Sequence, residues 1–129
     1  MREIKSHIVE GSNEQTAIFA VDTPTEGGAC HEYGITVKSD IQEMPVPTVL
    51  DRLGYVRYQK GSIKEAGING VQGVHLLAIE IDRLEHFQSG PFASTDNQEA
   101  LEHIRAALKC LHRRTKDRLA RNVEGYNKV

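Results

Sequence analysis

Residues 74–92, VHLLAIEIDRLEHFQSGPF, decide the fold. Val74, Leu77, Ile81 and Leu84 recur at intervals of three and four, which places them on one stripe of an α-helix running to about Ser89. Gly90-Pro91 then stops it, because proline lacks the N–H donor a continuing helix needs. Thr95 and Gln98 have capping-box spacing, and Asp96, Glu99 and Glu102 put negative charge where a helix N-terminus favours it. A second helix is expected from there, with Leu101, Ile104, Leu108 and Leu111 as its stripe. It should end near Arg121-Asn122, where asparagine tolerates a left-handed cap. Two such stripes joined by a short connection predict an antiparallel αα-hairpin.

Outward from the hairpin, the N-terminal half changes period. Thr16–Asp22 is rich in β-prone residues, and Glu32–Lys38 alternates Tyr33, Ile35 and Val37 on one face. Between them, residues 23–29 (TPTEGGA) supply turn chemistry for a long hairpin loop. Tyr55–Gln59 is a further strand candidate. Pro45 and Pro47 remove backbone donors on one side, so a strand carrying them belongs at a sheet edge. Thr48–Leu53 is left open as one helical turn. The expected class is α+β: a small N-terminal antiparallel β-sheet followed by a C-terminal αα-hairpin. The 129 residues make one domain, with 1–68 as the sheet part and 69–129 as the hairpin part.

Composition excludes several function classes. Hydrophobic residues at 39% and charged residues at 26% describe a globular protein. No apolar run is long enough for a bilayer and Met1–Glu10 has no signal-like apolar segment, so no membrane partner and a cytoplasmic location are expected. Cys30 and Cys110 lack ligand spacing and are read as reduced thiols. His75, His86, His103 and His112 form no metal set, and no phosphate-loop or nucleophile motif occurs, so no metal, no cofactor and no catalytic residue is assigned. Asp82 and Glu85 share a helix face and leave a hydrolase reading open.

Charge is unevenly placed. The net charge is -2, yet Lys109–Val129 holds seven basic side chains against Asp117 and Glu124. A concentrated basic segment on an otherwise acidic chain points to a local anion site more than to a long polyanion track. Continuing the second stripe past Leu111 puts Thr115 and Arg118 at the next core positions, with Arg114 on the same face as Arg118. A desolvated guanidinium there requires a carboxylate or a phosphate. From the pattern alone, complementing the helix macrodipole, pairing with Glu80, Asp82 and Glu85, and binding a phosphate all stand. The connection likewise carries two of the three phenylalanines, Phe87 and Phe92. They either close the end of the helical core or stack a nucleobase, and Asn97 either assists the cap or hydrogen-bonds an adenine edge. Asn97 lies about 25–30 Å along the helix from Arg114 and Arg118, so one compact nucleotide reaches both clusters only if they come from different chains.

Residues 61–71 (GSIKEAGINGV), Ile81-Asp82-Arg83-Leu84, the FQSGPF connection, Arg114-Thr115-Lys116-Asp117-Arg118 and Val123-Glu124-Gly125 resemble phage anti-Thoeris proteins, whose helical hairpin is shared with phage anti-CBASS sponges. The likeness covers residues 61–125. It implies a non-enzymatic sponge that binds glycocyclic ADP-ribose, made by TIR-domain proteins, in the cytoplasm of an infected bacterial host. Carried over by position, Phe87 would stack on the base, Asn97 would bond to the nucleotide, and Arg114 and Arg118 would hold the diphosphate; Phe92, the other ring of the connection, is a further ligand-binding candidate. The resemblance further implies homodimers assembling to hexamers and a second site for cyclic trinucleotides, with Lys60 and Lys64 as candidates. It implies no long nucleic-acid partner, and a hydrolase or a small nucleic-acid-binding module is the alternative. Ser62 and Asn122 stand where proline and glycine are expected. The binding residues are expected to contribute little to the fold.

Overall fold

The computed structural model describes residues 1–42, 50–126 and 128–129. The chain is α+β and divides into two compact units: residues 1–61 with 68–70, and residues 62–67 with 71–129.

The first unit is a four-stranded antiparallel meander in the order β1 (Arg2–Ile4), β2 (Thr16–Ala20), β3 (Glu32–Val37), β4 (Gly54–Arg57). β2, β3 and β4 fall where β-prone composition puts them. β1 is too short for any alternation to register, and a short helix α1 (Lys38–Gln42) takes over from β3 at Lys38. Residues 50–53 form no helical turn, while Thr48, Pro45 and Pro47 lie outside the described residues. The loop from β2 to β3 contains a 3₁₀ turn, Glu26–Gly28. Asp22 ties off its base by accepting the N–H groups of His31 at 2.9 Å and Glu32 at 3.1 Å. Burial works against ionisation of Asp22, but these donors outweigh it and hold the carboxyl below its usual range.

Tyr33, Ile35 and Val37 are only half-buried, whereas Gly34 and Thr36 are buried and pair in register with Phe19 and Ala17, themselves buried. The deeper face of β3 is therefore the one opposite Tyr33, Ile35 and Val37. The reason is a close backbone approach: a Cβ on Gly34 would lie 2.1 Å from the Leu50 carbonyl oxygen. At Gly34 itself there is no room for a side chain.

The second unit contains α2 (Ile63–Ala66), α3 (Gly73–Gln88) and α4 (Thr95–Ala120), with α3 packed on α4. Leu84 and Leu101 are buried at the seam, with Val74, Leu77, Ile81, Ile104 and Leu108 half-buried along it. α4 begins with Ser94 as N-cap, its hydroxyl accepting the Asn97 N–H at 3.1 Å. The N-cap is therefore Ser94 and not the expected Thr95, whose hydroxyl is of the same kind. The C-terminal end is as expected: α4 gives way after Ala120, and Asn122 takes φ 57°. Among the described residues no helix is long and apolar enough to cross a membrane, and both cysteines are free.

Two glycines make the packing testable. Gly34→Ala should lower stability by about 1–3 kcal/mol through overpacking against Leu50. Gly73→Ala, in open space at the start of α3, should leave stability unchanged or raise it by up to about 1 kcal/mol. Urea unfolding of the two variants reads both signs.

Candidate functional site

Two clefts lie at opposite ends of α4. The first is built by the hairpin tip. Gln88, the last residue of α3, clamps the tip with its side-chain amide: Nε2 donates to the Ser94 carbonyl at 2.9 Å, and Oε1 accepts the Ser94 N–H at 3.0 Å. The Ser89 N–H donates back to the carbonyls of Glu85 and His86, closing the helix before Gly90-Pro91. This fixed turn carries Phe87 and Phe92 to the wall of a cleft of about 640 Å³, shared with Ile79, Asp82, Arg83, His86, Gly90 and Pro91. Phe92 is 73% exposed and Phe87 36%, so Phe92 does not close a core. The Arg83 guanidinium lies 5.1 Å from the centre of the Phe87 ring, a cation–π contact that occupies part of the ring's surface.

His86 also lines this cleft. Its Nδ1 lies 2.8 Å from the Asp82 carbonyl oxygen, which can only accept, so Nδ1 carries the proton. That bond, followed by the Asp82 carboxylate 3.7 Å away, raises the His86 pKa against an opposing desolvation. Asp82 therefore faces the cleft through His86, whereas Glu85 is paired with Arg105 at 3.0 Å. The two carboxylates serve different partners and assemble no acid/base pair. Asn97 is half-buried and outside the residues lining this cleft; its backbone N–H is spent on the cap.

The second cleft, about 460 Å³, is lined by Arg114, Arg118, Arg121, Lys128 and Val129. The expected pair of arginines is brought together here, but in different states. Arg114 is exposed. Arg118 is buried, as its position on the stripe demands, and is held by chain segments after α4. Its Nε donates to Glu124 Oε2 at 3.2 Å, Nη1 to the Lys128 carbonyl at 2.6 Å, and Nη2 to the carbonyls of Val123 at 3.1 Å and Tyr126 at 2.9 Å. None of the acidic residues of α3 is its partner. Arg118 thus departs from the expectation that binding residues are dispensable for the fold: removing it would strand a carboxylate and three carbonyls, at a cost of about 3–5 kcal/mol. Arg121 is tied by Asp117 at 3.0 Å and donates to the Val129 carbonyl at 2.9 Å.

Lys60 and Lys64 fall in different units. Lys60 belongs to a loop pinned by Asn69, whose side chain bonds the Lys60 N–H and carbonyl, each at 2.8 Å. The Lys64 Nζ lies 4.9 Å from the Tyr126 ring centre, and the Lys64 N–H donates to the Gly125 carbonyl at 2.9 Å. Ser62 has φ −71° and would accommodate proline; its buried hydroxyl has no partner among the described residues. No group of three His, Cys, Asp or Glu side chains that could hold a metal occurs among the described residues.

Sequence reading missed Arg83, His86, Arg121 and Lys128. The i,i+4 spacing of Arg83 to Phe87 and the heptad from Arg114 to Arg121 were signals for two of them. Lys128 gave none, because it returns to the helix end through positive-φ turns at Asn122 and Gly125.

The model of the Acb2/Tad1 hairpin domain matches residues 51–116, about half the chain, a span that contains Phe87, Phe92, Asn97 and Arg114 but not Arg118. A curated relative, Thoeris anti-defense 1 of Bacillus phage SBSphiJ7, is 36% identical over 84 residues, covering 65% of this chain and 59% of that protein. The chain therefore spans less than two thirds of the length of that relative. On the strength of the matched hairpin, the chain belongs to the Acb2/Tad1 hairpin-domain family.

Proposed function

We infer that the protein is a phage anti-Thoeris sponge: it binds a cyclic ADP-ribose signal, glycocyclic ADP-ribose foremost, and withholds it uncleaved from the host defence. The observation that carries this reading is the pairing of an aromatic cleft at the hairpin tip with a cleft lined mainly by cations at the C-terminal end of α4. A planar base and a diphosphate are the two halves of such a ligand. Stacking on Phe87 or Phe92 would contribute about 1–3 kcal/mol, and Arg114 presents an exposed fork for a phosphate oxygen. The similarity to Thoeris anti-defense 1 supports the same reading. Sequestration also fits the carboxylates: Asp82 and Glu85 are engaged with His86 and Arg105, and neither is set up as a general base with the other. The two clefts are too far apart for one nucleotide in one chain, so the pocket is composite, formed between the hairpin tip of one protomer and the basic end of another. A homodimer is the smallest assembly that completes it, and further association into hexamers is compatible with it. Cyclic trinucleotides would require a separate second site, for which Lys60 and Lys64 are the candidates.

Equimolar protein and glycocyclic ADP-ribose should give complete capture, and heating should release the ligand intact. Recovery of ADP-ribose would instead establish a hydrolase, and binding of DNA or RNA that falls steeply with salt would establish a nucleic-acid module. Phe87→Ala should abolish capture with little change in Tm, because its ring is partly exposed.

His86 titration tests the electrostatics of the aromatic cleft. By NMR its pKa should lie above the ordinary value of 6.5. Asp82→Asn should lower it only in part, because the backbone carbonyl is the larger cause. Since the folded pKa is raised, its contribution to stability is complete below the unfolded value and fades as pH rises through the folded one.

A further inference from the structure

We propose that Gln88 is a positioning residue: its side-chain amide sets where Phe92 and Asn97 stand relative to Phe87, and so presents the aromatic cleft to the base of the ligand. This deepens the sponge reading and rests on it. Ser94 is extended, with φ −147° and ψ 159°, and in an extended residue the N–H and C=O point to the same side of the chain. A primary amide offers the matching pair, an acceptor and a donor side by side. Gln88 uses both, Oε1 accepting the Ser94 N–H at 3.0 Å and Nε2 donating to its carbonyl at 2.9 Å. The same device closes residues 60–69, where Asn69 takes the N–H and the carbonyl of Lys60, each at 2.8 Å.

Ser94 is thereby saturated. Its carbonyl also accepts the Gln98 N–H at 3.1 Å, and its hydroxyl accepts the Asn97 N–H at 3.1 Å. One amide thus joins the last residue of α3 to the first turn of α4. The connection in between has little else to hold it. Ser89 and Gly90 bond back to α3, Pro91 has no N–H, the Phe92 N–H has no acceptor among the described residues, and Ala93 reaches the Gly90 carbonyl at 3.3 Å. Phe92 is 73% exposed, so its place is fixed by the anchored ends of the connection and not by packing. Asn97 gains as well: its backbone is held by the Ser94 hydroxyl, while its side-chain amide has no partner among the described residues. A ligand that meets these groups already in place avoids the cost of ordering them.

The test measures glycocyclic ADP-ribose affinity by calorimetry, well below the Tm, for wild type, Gln88→Glu and Gln88→Leu. A carboxylate keeps the Ser94 N–H but faces the Ser94 carbonyl without a donor; protonated, it regains one. Gln88→Glu should therefore bind about tenfold more weakly than wild type at pH 8 and only about threefold more weakly at pH 5. Asp82, Glu85 and His86 on α3, and Asp96, Glu99 and Glu102 on α4, are common to both proteins, so the ratio to wild type at each pH isolates position 88. Gln88→Leu should bind about tenfold more weakly at both pH values, with amide exchange about tenfold faster at Ser94 and Asn97 and unchanged at Leu84 and Leu101. Undiminished capture in Gln88→Leu overturns the proposal, even if Gln88→Glu does not fold. A Gln88→Glu deficit that is the same at both pH values overturns it too, as does faster exchange at Leu84 and Leu101, which would make Gln88 a support of the whole hairpin. Any of these results leaves the sponge intact as long as the wild type captures the ligand; a wild type that does not capture it sinks both.

Discussion

The length of α4 constrains everything else. Twenty-six helical residues span about 39 Å, and the helix keeps the hairpin tip and the basic end on opposite sides of its own unit. A nucleotide with a base and a diphosphate is far shorter than that. On the proposed sponge reading, the aromatic and cationic clefts would serve one molecule through two chains lying side by side in opposite directions, which would couple ligand binding to self-association. A hairpin is suited to this, because its seam is rigid enough to hold both ends at a fixed separation.

The seam also shows how one stripe supports two tasks. From Leu101 through Leu108 it buries leucine and isoleucine against α3. Beyond Leu111 the stripe passes to Thr115 and Arg118, and the packing partner changes from the other helix to the chain's own C-terminal turn. A charge at a core position is expensive unless its donors are satisfied, and here a carboxylate and three carbonyls satisfy it. The basic cleft is the outer surface of that arrangement.

Much of this was legible in the sequence. The two stripes, the stop at Gly90-Pro91 and the left-handed end at Asn122 gave the hairpin, because helical period and backbone exclusions act locally. The break at Thr115 and Arg118 was equally visible, since it is a departure from the same period. What the fork bonds to was not, because Val123, Tyr126 and Lys128 contribute backbone carbonyls that carry no residue signature. In the sheet, the alternation of Tyr33, Ile35 and Val37 shows which residues share a face but not which face lies deeper, because the close approach of Leu50 to Gly34 is a nonlocal contact. Ser94 displaced Thr95 as the cap for a subtler reason: both hydroxyls suit the position, and Gln88 clamps the backbone of Ser94.

The composite pocket is the central claim, and complementation between two disabled chains tests it most directly. Phe87→Ala and Arg114→Ala proteins, each unable to capture glycocyclic ADP-ribose alone, are mixed, allowed to exchange subunits, and titrated with ligand. Random pairing yields mixed dimers in which one pocket draws its ring and its guanidinium from the two intact ends, so capture should return at about a quarter of all sites. No recovery after demonstrated subunit exchange would place both groups in a pocket within one chain and contradict the account.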